Sequence, residues 1–348
     1  MKNKNNRSQS RRKTPWDSLN EDERTPLQSF LRSIYIGSYE YHHQSLIAMN
    51  DSAVLDKYLP PCCPYCKSAR YVRNGHYKST GLQRYICYDC HQSFCITTGT
   101  IFEDHKLSIG EWMQYLLNLF DYVSLNAGSK NNRNTFTTSR YWLQKVFLVL
   151  EHYQDSTVLR GKIYLDETYW TERKEDLVRT ENGKLLRGIS RNQICIASAA
   201  DRTRIFCRVE GNGKPSSEGI LQVFTGHIQK GSKLIHDGEA AHNALVNLLN
   251  LKEEVYTTEE TSGLEDADNP LNRINHVHAL LAWFLGSHSS FMRENLNGYL
   301  NLFALIMNPP RNKLEKVELF LEMAINARVS LKYRDFYRKS SDEEFYND

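Results

Sequence analysis

Four cysteines arranged as two C-x2-C pairs carry the strongest chemical signal in the chain. The pairs are Cys63-Pro-Tyr-Cys66 and Cys87-Tyr-Asp-Cys90, and 20 residues separate them. Thiolates at this spacing can surround Zn²⁺ tetrahedrally when the residues between them form a hairpin. Because so short a segment cannot bury enough apolar area to fold alone, the metal would supply much of its folding free energy. The sequence therefore predicts a structural zinc ribbon with these four ligands.

The other cysteines are not expected to bind this metal. Cys62 has a poorer spacing to Cys66, and Cys95 lies beyond the second pair, where a ribbon normally ends in a strand; His91 is excluded as well. Cys195 and Cys207 lie inside apolar strand patterns, which is typical of buried core thiols.

Basic and aromatic residues alternate between the two cysteine pairs. The basic residues are Arg70, Arg73, Lys78 and Arg84, and the aromatic ones are Tyr71, Tyr77 and Tyr85. Cations neutralise phosphates and aromatic rings can pack on sugars or bases, so a nucleic-acid surface is predicted here. Zinc ribbons also serve as scaffolds or protein-docking modules, and this alternative stays open.

Two aspartates follow buried-looking strands in the second half of the chain. Asp166 ends the apolar stretch KIYLD, and Asp237 ends KLIHD. Carboxylates at the carboxyl ends of buried strands lie where α/β sheets place their sites. Such a pair can hold Mg²⁺ ions that polarise a phosphodiester and activate a water or a 3′-hydroxyl. The alternative is that each aspartate only caps the turn that follows it.

A third ligand is expected from a later helix. In NRINHVHALLAWFL, Asn275, His278 and Ala282 share one face of the predicted helix. The opposite, core-facing stripe consists of Ile274, Val277, Leu281 and Phe284. The polar face could therefore point at the strand ends.

Five segments are predicted along the chain. They are a basic arm with short helices (1–58), the zinc ribbon (59–104), a helical segment (105–158), an α/β domain (159–310), and a C-terminal helix with an acidic tail (311–348). Strands in the α/β domain are predicted in GKIYLDETYW, in a pair turning at Asp201-Arg202, and in GSKLIHD, with helices in SSEGILQVF and AAHNALVNLL.

The helical segment is predicted to contain two amphipathic helices around a Gly/Asn-rich turn, AGSKNNRN. Three basic residues lie in or near the turn and second helix: Arg133, Arg140 and Lys145. This arrangement is compatible with a DNA-binding helix-turn-helix, although an ordinary helical pair would show the same pattern.

Composition excludes some classes of protein. The chain is 40% hydrophobic and 24% charged, its net charge is +3, and its first fourteen residues carry six Lys/Arg and no acid. No apolar region follows this basic start, so no secretory signal is expected, and no apolar run reaches the ~18 residues of a membrane span. We expect a cytoplasmic, nucleoid-associated protein in which clustered cysteines bind metal.

The order of these motifs resembles one family. The ribbon, TTGTIFED, the helical pair, YLDETYW, LIHDGEAAHNAL and RINHVHALLAWFLGSHSSFMRENLNGYLNLF are similar to insertion-sequence DDE transposases with an N-terminal zinc ribbon, the ISXO-like group, from about Cys63 to Asn308. The resemblance implies an α/β fold with an RNase H-like core. It further implies two Mg²⁺ ions and DNA cleavage with strand transfer at transposon ends.

By this resemblance Asp166 and Asp237 are the first two metal-binding acids and His278 is the third ligand, with Asn275 one turn earlier as the alternative. Imidazole binds Mg²⁺ less well than carboxylate does and suits Mn²⁺ better. Relatives usually carry Lys or Arg where this chain has Ala282. Glu167 should point to the opposite strand face from Asp166 and not act as a ligand.

Two other functions are considered. One is a catalytically inactive DNA-binding protein on the same fold, and the other is an unrelated zinc-ribbon nuclease or RNA-processing enzyme. The expected partners of the leading hypothesis are double-stranded transposon ends and target DNA, with a homo-oligomer as an expectation of the class and no membrane partner.

Overall fold

The computed structural model describes residues 51–103, 108–132, 134–171, 177–288 and 293–337. The predicted basic arm, the part of the first helical region before residue 51, Arg133 and the acidic tail lie outside the described residues. None of the described helices is long and apolar enough to cross a membrane.

A three-stranded antiparallel sheet forms the zinc ribbon, preceded by the short helix α1 (Asp51–Leu55). Its strands, in the order β1-β2-β3, are β1 (Tyr71–His76), β2 (Gln83–Cys87) and β3 (Ser93–Phe94). The rings of Tyr71, Tyr85 and Phe94 lie 5.3 to 5.6 Å apart, and Tyr85 is only 2% exposed. The expectation that Tyr71 and Tyr85 face nucleic acid is therefore wrong, because both rings form the ribbon's small core.

Three helices lie in the described residues of the helical segment. The predicted turn between two helices is therefore wrong, because a third helix occupies most of it. The helices are α2 (Ile109–Phe120), α3 (Leu125–Asn131) and α4 (Phe136–Leu150). The predicted turn is largely helical because Ser124 caps α3, its Oγ accepting from the Ala127 N–H at 3.3 Å. Gly128 and Ser129 are buried where α3 packs against α4.

A five-stranded mixed sheet forms the α/β domain. Its strands are β4 (Lys162–Thr171), β5 (Gln193–Ala200), β6 (Ile205–Asn212), β7 (Lys233–His236) and β8 (Lys252–Val255), in the order β6-β5-β4-β7-β8. The first three strands form an antiparallel meander, whereas β4–β7 and β7–β8 pair in parallel across helical connections. This is the expected RNase H-like core.

Helices cover both faces of this sheet. Ile163 and Leu165 point to the face that packs on α5 (Ser217–Phe224) and α6 (Asn243–Leu249). Tyr164, on the alternate face, packs with α8 (Asn272–Ser287), α9 (Leu296–Met307) and α10 (Lys313–Ala327). A single hydrophobic cluster joins that face to α2 and α4, so the helical segment and the C-terminal helix share one core with the sheet.

Two elements depart from the sequence expectations in the α/β domain. The strand β8 and the short helix α7 (Thr258–Thr261) were not predicted, because the strand's sequence, KEEV, is charged rather than apolar. Charged side chains are common on edge strands, where they oppose pairing with other chains.

Two buried cations hold the linker segment, residues 95–103, which joins the ribbon to α2. The Lys145 ammonium donates to the Ile101 carbonyl at 2.6 Å, and Lys145 is only 3% exposed. The Arg328 guanidinium, at the end of α10, donates to the carbonyls of Ile96 and Thr98 at 3.1 and 2.7 Å. The prediction that Lys145 contacts DNA is therefore wrong, because its charge is used inside the protein.

Replacing Lys145 tests this role in stability. Lys145→Met leaves the Ile101 carbonyl without its donor, and we expect the free energy of unfolding to fall by about 1.5–3 kcal/mol. Arg140→Met, at an exposed position of the same helix, is the control and should change it by no more than about 0.5 kcal/mol. Urea denaturation measures both, and equal effects would contradict the proposed role.

Candidate functional site

The four predicted zinc ligands come together in the ribbon. The sulfur atoms of Cys63, Cys66, Cys87 and Cys90 all lie within 4.8 Å of one another, with 3.6 Å between Cys63 and Cys90 and 3.5 Å between Cys66 and Cys87. A tetrahedron with Zn–S bonds of about 2.3 Å has edges of about 3.8 Å, so the donor set fits Zn²⁺.

Each cysteine pair lies in a turn of its own, and the two turns have the same geometry. Lys67 follows the first pair with φ 64° and His91 follows the second with φ 59°, and each residue's N–H donates to the carbonyl of the first cysteine of its pair. In the second pair, the backbone N–H of Cys90 is the main cause that lowers the pKa of the Cys87 thiol to about 7. A lowered thiol pKa favours the thiolate, the form that binds zinc.

The remaining cysteines lie outside this cluster. The Cys95 thiol contacts the Thr97 hydroxyl at 3.1 Å, and Cys195 and Cys207 are fully buried. Burial raises the pKa of the Cys207 thiol to about 12, as expected of an inert core thiol.

The predicted basic residues of the ribbon differ in their availability. Arg73 and Lys78 are exposed; Arg70 is exposed but pairs with Asp89 at 3.1 Å, and Arg84 is half-buried with its Nε donating to the Asn74 carbonyl. Arg73, Lys78 and, on α4, the exposed Arg140 are therefore the most accessible of the predicted DNA contacts.

The two aspartates lie on neighbouring parallel strands. The strand β7 ends at His236 and Asp237 follows it, as predicted, but β4 continues to Thr171, so Asp166 lies in mid-strand and not at a strand end. The β4–β7 register ends at the Tyr164–Ile235 pair, two residues before each aspartate, so the two aspartates follow this pair on adjacent segments of chain. The charge of Asp237 is one of the causes that raise the pKa of the Asp166 carboxyl, which agrees with their being near each other.

Electrostatics at Asp166 favour a cation. Burial, followed by the negative charges of Asp237 and Glu167, raises the pKa of the Asp166 carboxyl to about 7. The Glu167 N–H, which donates to Asp166 Oδ1 at 2.8 Å, offsets only part of this effect. A divalent cation between the two aspartates would remove their repulsion.

The helix α8 brings His278 to the same place. The His278 Nδ1 lies 3.6 Å from Asp166 Oδ2, and burial lowers the pKa of the imidazole to about 4, which keeps the ring neutral. The His278 Nε2 is buried and has no hydrogen-bond partner among the described residues. A neutral imidazole with one unsatisfied nitrogen is suited to bind a metal ion, whereas Asn275, one turn earlier, is exposed.

The packing of α8 explains this orientation. Its predicted core stripe, Ile274, Val277, Leu281 and Phe284, is buried. Ala282 is exposed on the same helix and offers no cation to the site.

A chain of four side chains that sequence reasoning missed lies on the other strand face, buried at three of its members and exposed at Glu253. The Glu–His–His–Glu chain runs from Glu167 through His242 and His236 to Glu253, with successive contacts of 3.0, 2.9 and 2.9 Å. Both imidazoles are fully buried, and the Glu167 side chain is 4% exposed. Glu167 thus lies opposite Asp166, as expected.

The contacts of His236 favour its neutral form. The Gly238 N–H donates to His236 Nδ1, so that nitrogen accepts, and His236 Nε2 lies 2.9 Å from Glu253. Burial, followed by the charge of His242, lowers the pKa of His236. His242 contacts His236 through Nδ1 and Glu167 through Nε2.

This chain lies next to the two aspartates in the sequence. Glu167 follows Asp166 and His236 precedes Asp237, so the chain fixes both strands beside the carboxylates. Nitrogens of His236 and His242 and a carboxylate oxygen of Asp237 also lie within 4.8 Å of one another. The two imidazoles are satisfied by their hydrogen bonds, however, whereas His278 is not. The sequence signal for the chain was the acid beside Asp166 and the two histidines flanking DGEAA.

Removal of one zinc ligand tests the metal centre. We expect Cys87→Ser to lose bound zinc and to increase proteolysis within residues 59–95, because a site with three thiolates holds the metal more weakly. Cys95→Ser is the matched control and should retain about one zinc per chain. Elemental analysis and limited proteolysis measure both effects, and stoichiometric zinc in Cys87→Ser would exclude this ligand set.

Removal of His242 tests the buried chain. His242→Leu leaves the Glu167 carboxylate buried without its partner, and the free energy of unfolding should fall by about 3–5 kcal/mol. Replacing both residues with leucine should cost less than the sum of the single changes. His152→Leu removes an exposed histidine–carboxylate pair and should cost no more than about 1 kcal/mol. Additive single effects, measured by denaturant unfolding, would show that the pair is not coupled.

Comparison with known proteins agrees with this geometry. Residues 158–308 match the family described as the ISXO2-like transposase domain. The chain is also 24% identical over 260 residues to an uncharacterized protein in transposable element ISH50 of Halobacterium salinarum, covering 70% of this chain and 84% of that protein.

The chain also aligns with solved structures of Mos1 transposase. The Mos1 strand transfer complex aligns with a TM-score of 0.29 at 11% identity, covering 64% of this chain and 78% of that one. The catalytic domain of Mos1 mariner transposase aligns with a TM-score of 0.27 at 10% identity, covering 55% and 93%.

The family match, residues 158–308, contains both aspartates and His278 and spans the five-stranded sheet. This part of the chain is similar to the ISXO2-like transposase domain, and the chain is similar to a protein of a transposable element.

Proposed function

We propose that the chain is a DDE-type transposase that cuts and joins DNA at insertion-sequence ends with divalent metal ions held by Asp166, Asp237 and His278. One observation supports the proposal: the partly buried Asp166 carboxylate, whose pKa is raised in part by the charge of Asp237, lies 3.6 Å from a neutral imidazole whose buried Nε2 has no partner among the described residues. The alternative role, in which each aspartate only caps the turn that follows it, would not require a second carboxylate or an imidazole nearby.

The donor set decides which metal suits the site. Carboxylate oxygens favour Mg²⁺ or Mn²⁺, and the imidazole shifts the preference toward Mn²⁺. The bound ion would polarise the phosphodiester and activate the attacking hydroxyl. The role of the protein is to position these ligands. The strands β4 and β7 position the two carboxylates, and the buried stripe of α8 packs on the sheet so that the His278 imidazole lies near Asp166.

The inactive alternative is not favoured. In the proposed site, decay of the third ligand would leave a side chain pointing elsewhere, whereas His278 contacts Asp166 directly. Ala282 removes a possible phosphate contact but none of the three metal ligands. Asn275 stays the second candidate for the third ligand.

Binding of duplex DNA is part of the proposal. The zinc ribbon would present Arg73 and Lys78, with Arg70 and Arg84 beside them, and α4 would present Arg140. Arg133 belongs to this predicted set but lies outside the described residues. Because transposition joins two ends in one complex, a homo-oligomer on DNA is predicted, and so is a nucleoid-associated, cytoplasmic location.

The catalytic assignment is tested with cognate transposon-end duplexes in Mg²⁺ and in Mn²⁺. Asp166→Asn and Asp237→Asn should each lower cleavage and strand transfer by more than the roughly 10–100-fold that loss of an outer-shell partner costs. His278→Ala should lose more activity in Mg²⁺ than in Mn²⁺. His276→Ala, an exposed neighbour on α8, is the control and should retain activity.

Three outcomes separate the alternatives. Unchanged cleavage in Asp166→Asn or Asp237→Asn would overturn the catalytic assignment. A greater loss in Asn275→Ala than in His278→Ala would make Asn275 the third ligand. Cleavage of RNA without any joining of DNA strands would favour an RNA-processing enzyme instead.

A further inference from the structure

Five arginines from separate segments meet at the turn between β5 and β6. The arginine patch consists of Arg160, Arg202, Arg204, Arg273 and Arg311. Arg160 precedes β4, Arg202 and Arg204 lie in the turn, Arg273 lies in the first turn of α8, and Arg311 lies between α9 and α10. Two of them contact the turn from outside it: Arg273 Nε donates to the Asp201 carbonyl at 3.2 Å, and Arg311 donates to the Thr203 carbonyl at 3.5 Å.

The acid at the centre of the patch, Asp201, is held by backbone N–H groups. The Asp201 carboxylate accepts from the backbone N–H groups of Thr203, Arg204 and Arg160 at 2.7, 2.8 and 3.2 Å, and Asp201 is 7% exposed. Asp201 therefore shapes the turn. In the part of the chain that the structure describes, no carboxylate forms an ion pair with an arginine of the patch.

Like charges face one another in the patch. Burial, followed by the nearby Arg311 charge, lowers the pKa of the Arg273 guanidinium, and the Asp201 charge offsets only part of this effect. Repulsion between cations costs stability, so five arginines around a single buried acid are typical of a surface that binds an anion.

The shape of the surface fits phosphates. A groove of about 470 Å³ is lined by Ser156, Val158, Arg160 and the turn Asp201–Arg204. Each guanidinium group can donate two parallel hydrogen bonds to phosphate oxygens, and the Ser156 hydroxyl can donate as well.

The patch lies beside the catalytic residues. The β4–β5 register pairs Asp166 with Ser198, three residues before Asp201, which corresponds to about 10 Å along the strand. On α8, Arg273 precedes His278 by five residues, a rise of about 7.5 Å. One DNA strand advances about 3.4 Å per phosphate along the helix axis, so the patch is about three phosphates from the metal ligands.

We propose that the arginine patch binds the phosphate backbone of duplex DNA, about three nucleotides from the phosphodiester at the catalytic site. The proposal rests on the proposed function, because the DNA that reaches the patch is the DNA that enters that site. The patch gives the catalytic domain its own DNA contact, separate from the zinc ribbon.

The test compares two variants that lose the same charge. Arg202→Gln/Arg204→Gln removes two cations from the patch, and Arg187→Gln/Arg191→Gln removes two exposed cations from the β4–β5 connection. Binding to a transposon-end duplex is measured across a range of salt concentrations without added divalent metal. The patch variant should bind roughly tenfold more weakly, and the slope of log K against log salt should become shallower by about 2. The control should keep the wild-type slope.

The position of the contacted phosphate is measured separately with a series of duplexes. Each duplex carries a neutral methylphosphonate in place of one phosphate, and the substituted phosphate differs from duplex to duplex. In the wild type, neutralisation about three phosphates from the cut should weaken binding, and in the patch variant it should have no further effect. If Arg202→Gln/Arg204→Gln does not fold, Arg311→Gln, which changes a patch residue outside the turn, is measured in its place.

The results distinguish the two proposals. Equal slopes for patch and control variants, or weaker binding of RNA duplexes but not of DNA, would overturn the patch proposal. If DNA binding depends on the patch but the wild-type protein cuts no DNA, only the catalytic proposal is overturned.

Discussion

The parallel pairing of β4 with β7 is the constraint on which the site depends. It carries Asp166 and Asp237 on adjacent segments of chain, where burial, and after it the charge of Asp237, raises the pKa of the Asp166 carboxyl to about 7. Such a pair is costly to keep without a cation, and the rest of the site is arranged around it. The neutral His278 lies on one side, and the β7 strand stops so that Asp237 is free to turn.

Strand alternation places Asp166, a ligand of the proposed metal site, and Glu167, a member of the Glu–His–His–Glu chain, on opposite faces of β4. Asp166 faces α8, whereas Glu167, its neighbour, faces inward and pairs with His242. The buried Glu–His–His–Glu chain then reaches β8 through Glu253, so it ties three strands together behind the carboxylates. Gly238 completes this arrangement, since its φ is +87° and an added Cβ would lie 2.8 Å from Val255.

Cations have two opposite uses in this protein. Lys145 and Arg328 are turned inward to backbone carbonyls and join the ribbon to the helices, while the arginine patch is turned outward around a turn shaped by Asp201. The difference follows from burial: an inward cation must find acceptors within the protein, and an outward one can meet a polyanion. The zinc ribbon and the catalytic domain can thus contact DNA while their relative position is set by internal hydrogen bonds.

Local patterns in the sequence determined the cysteine cluster, the amphipathic helices, the strand that precedes Asp237 and the buried stripe of α8, because spacing and periodicity act over a few residues. Tertiary structure alone decided that Lys145 is buried, that Tyr71 and Tyr85 form the ribbon core, that β4 extends past Asp166, and that four separate residues form the Glu–His–His–Glu chain. These features depend on partners 6 to 75 residues away in the chain. Only folding specifies such partners, because contact between distant segments depends on strand order and packing rather than on local residue type.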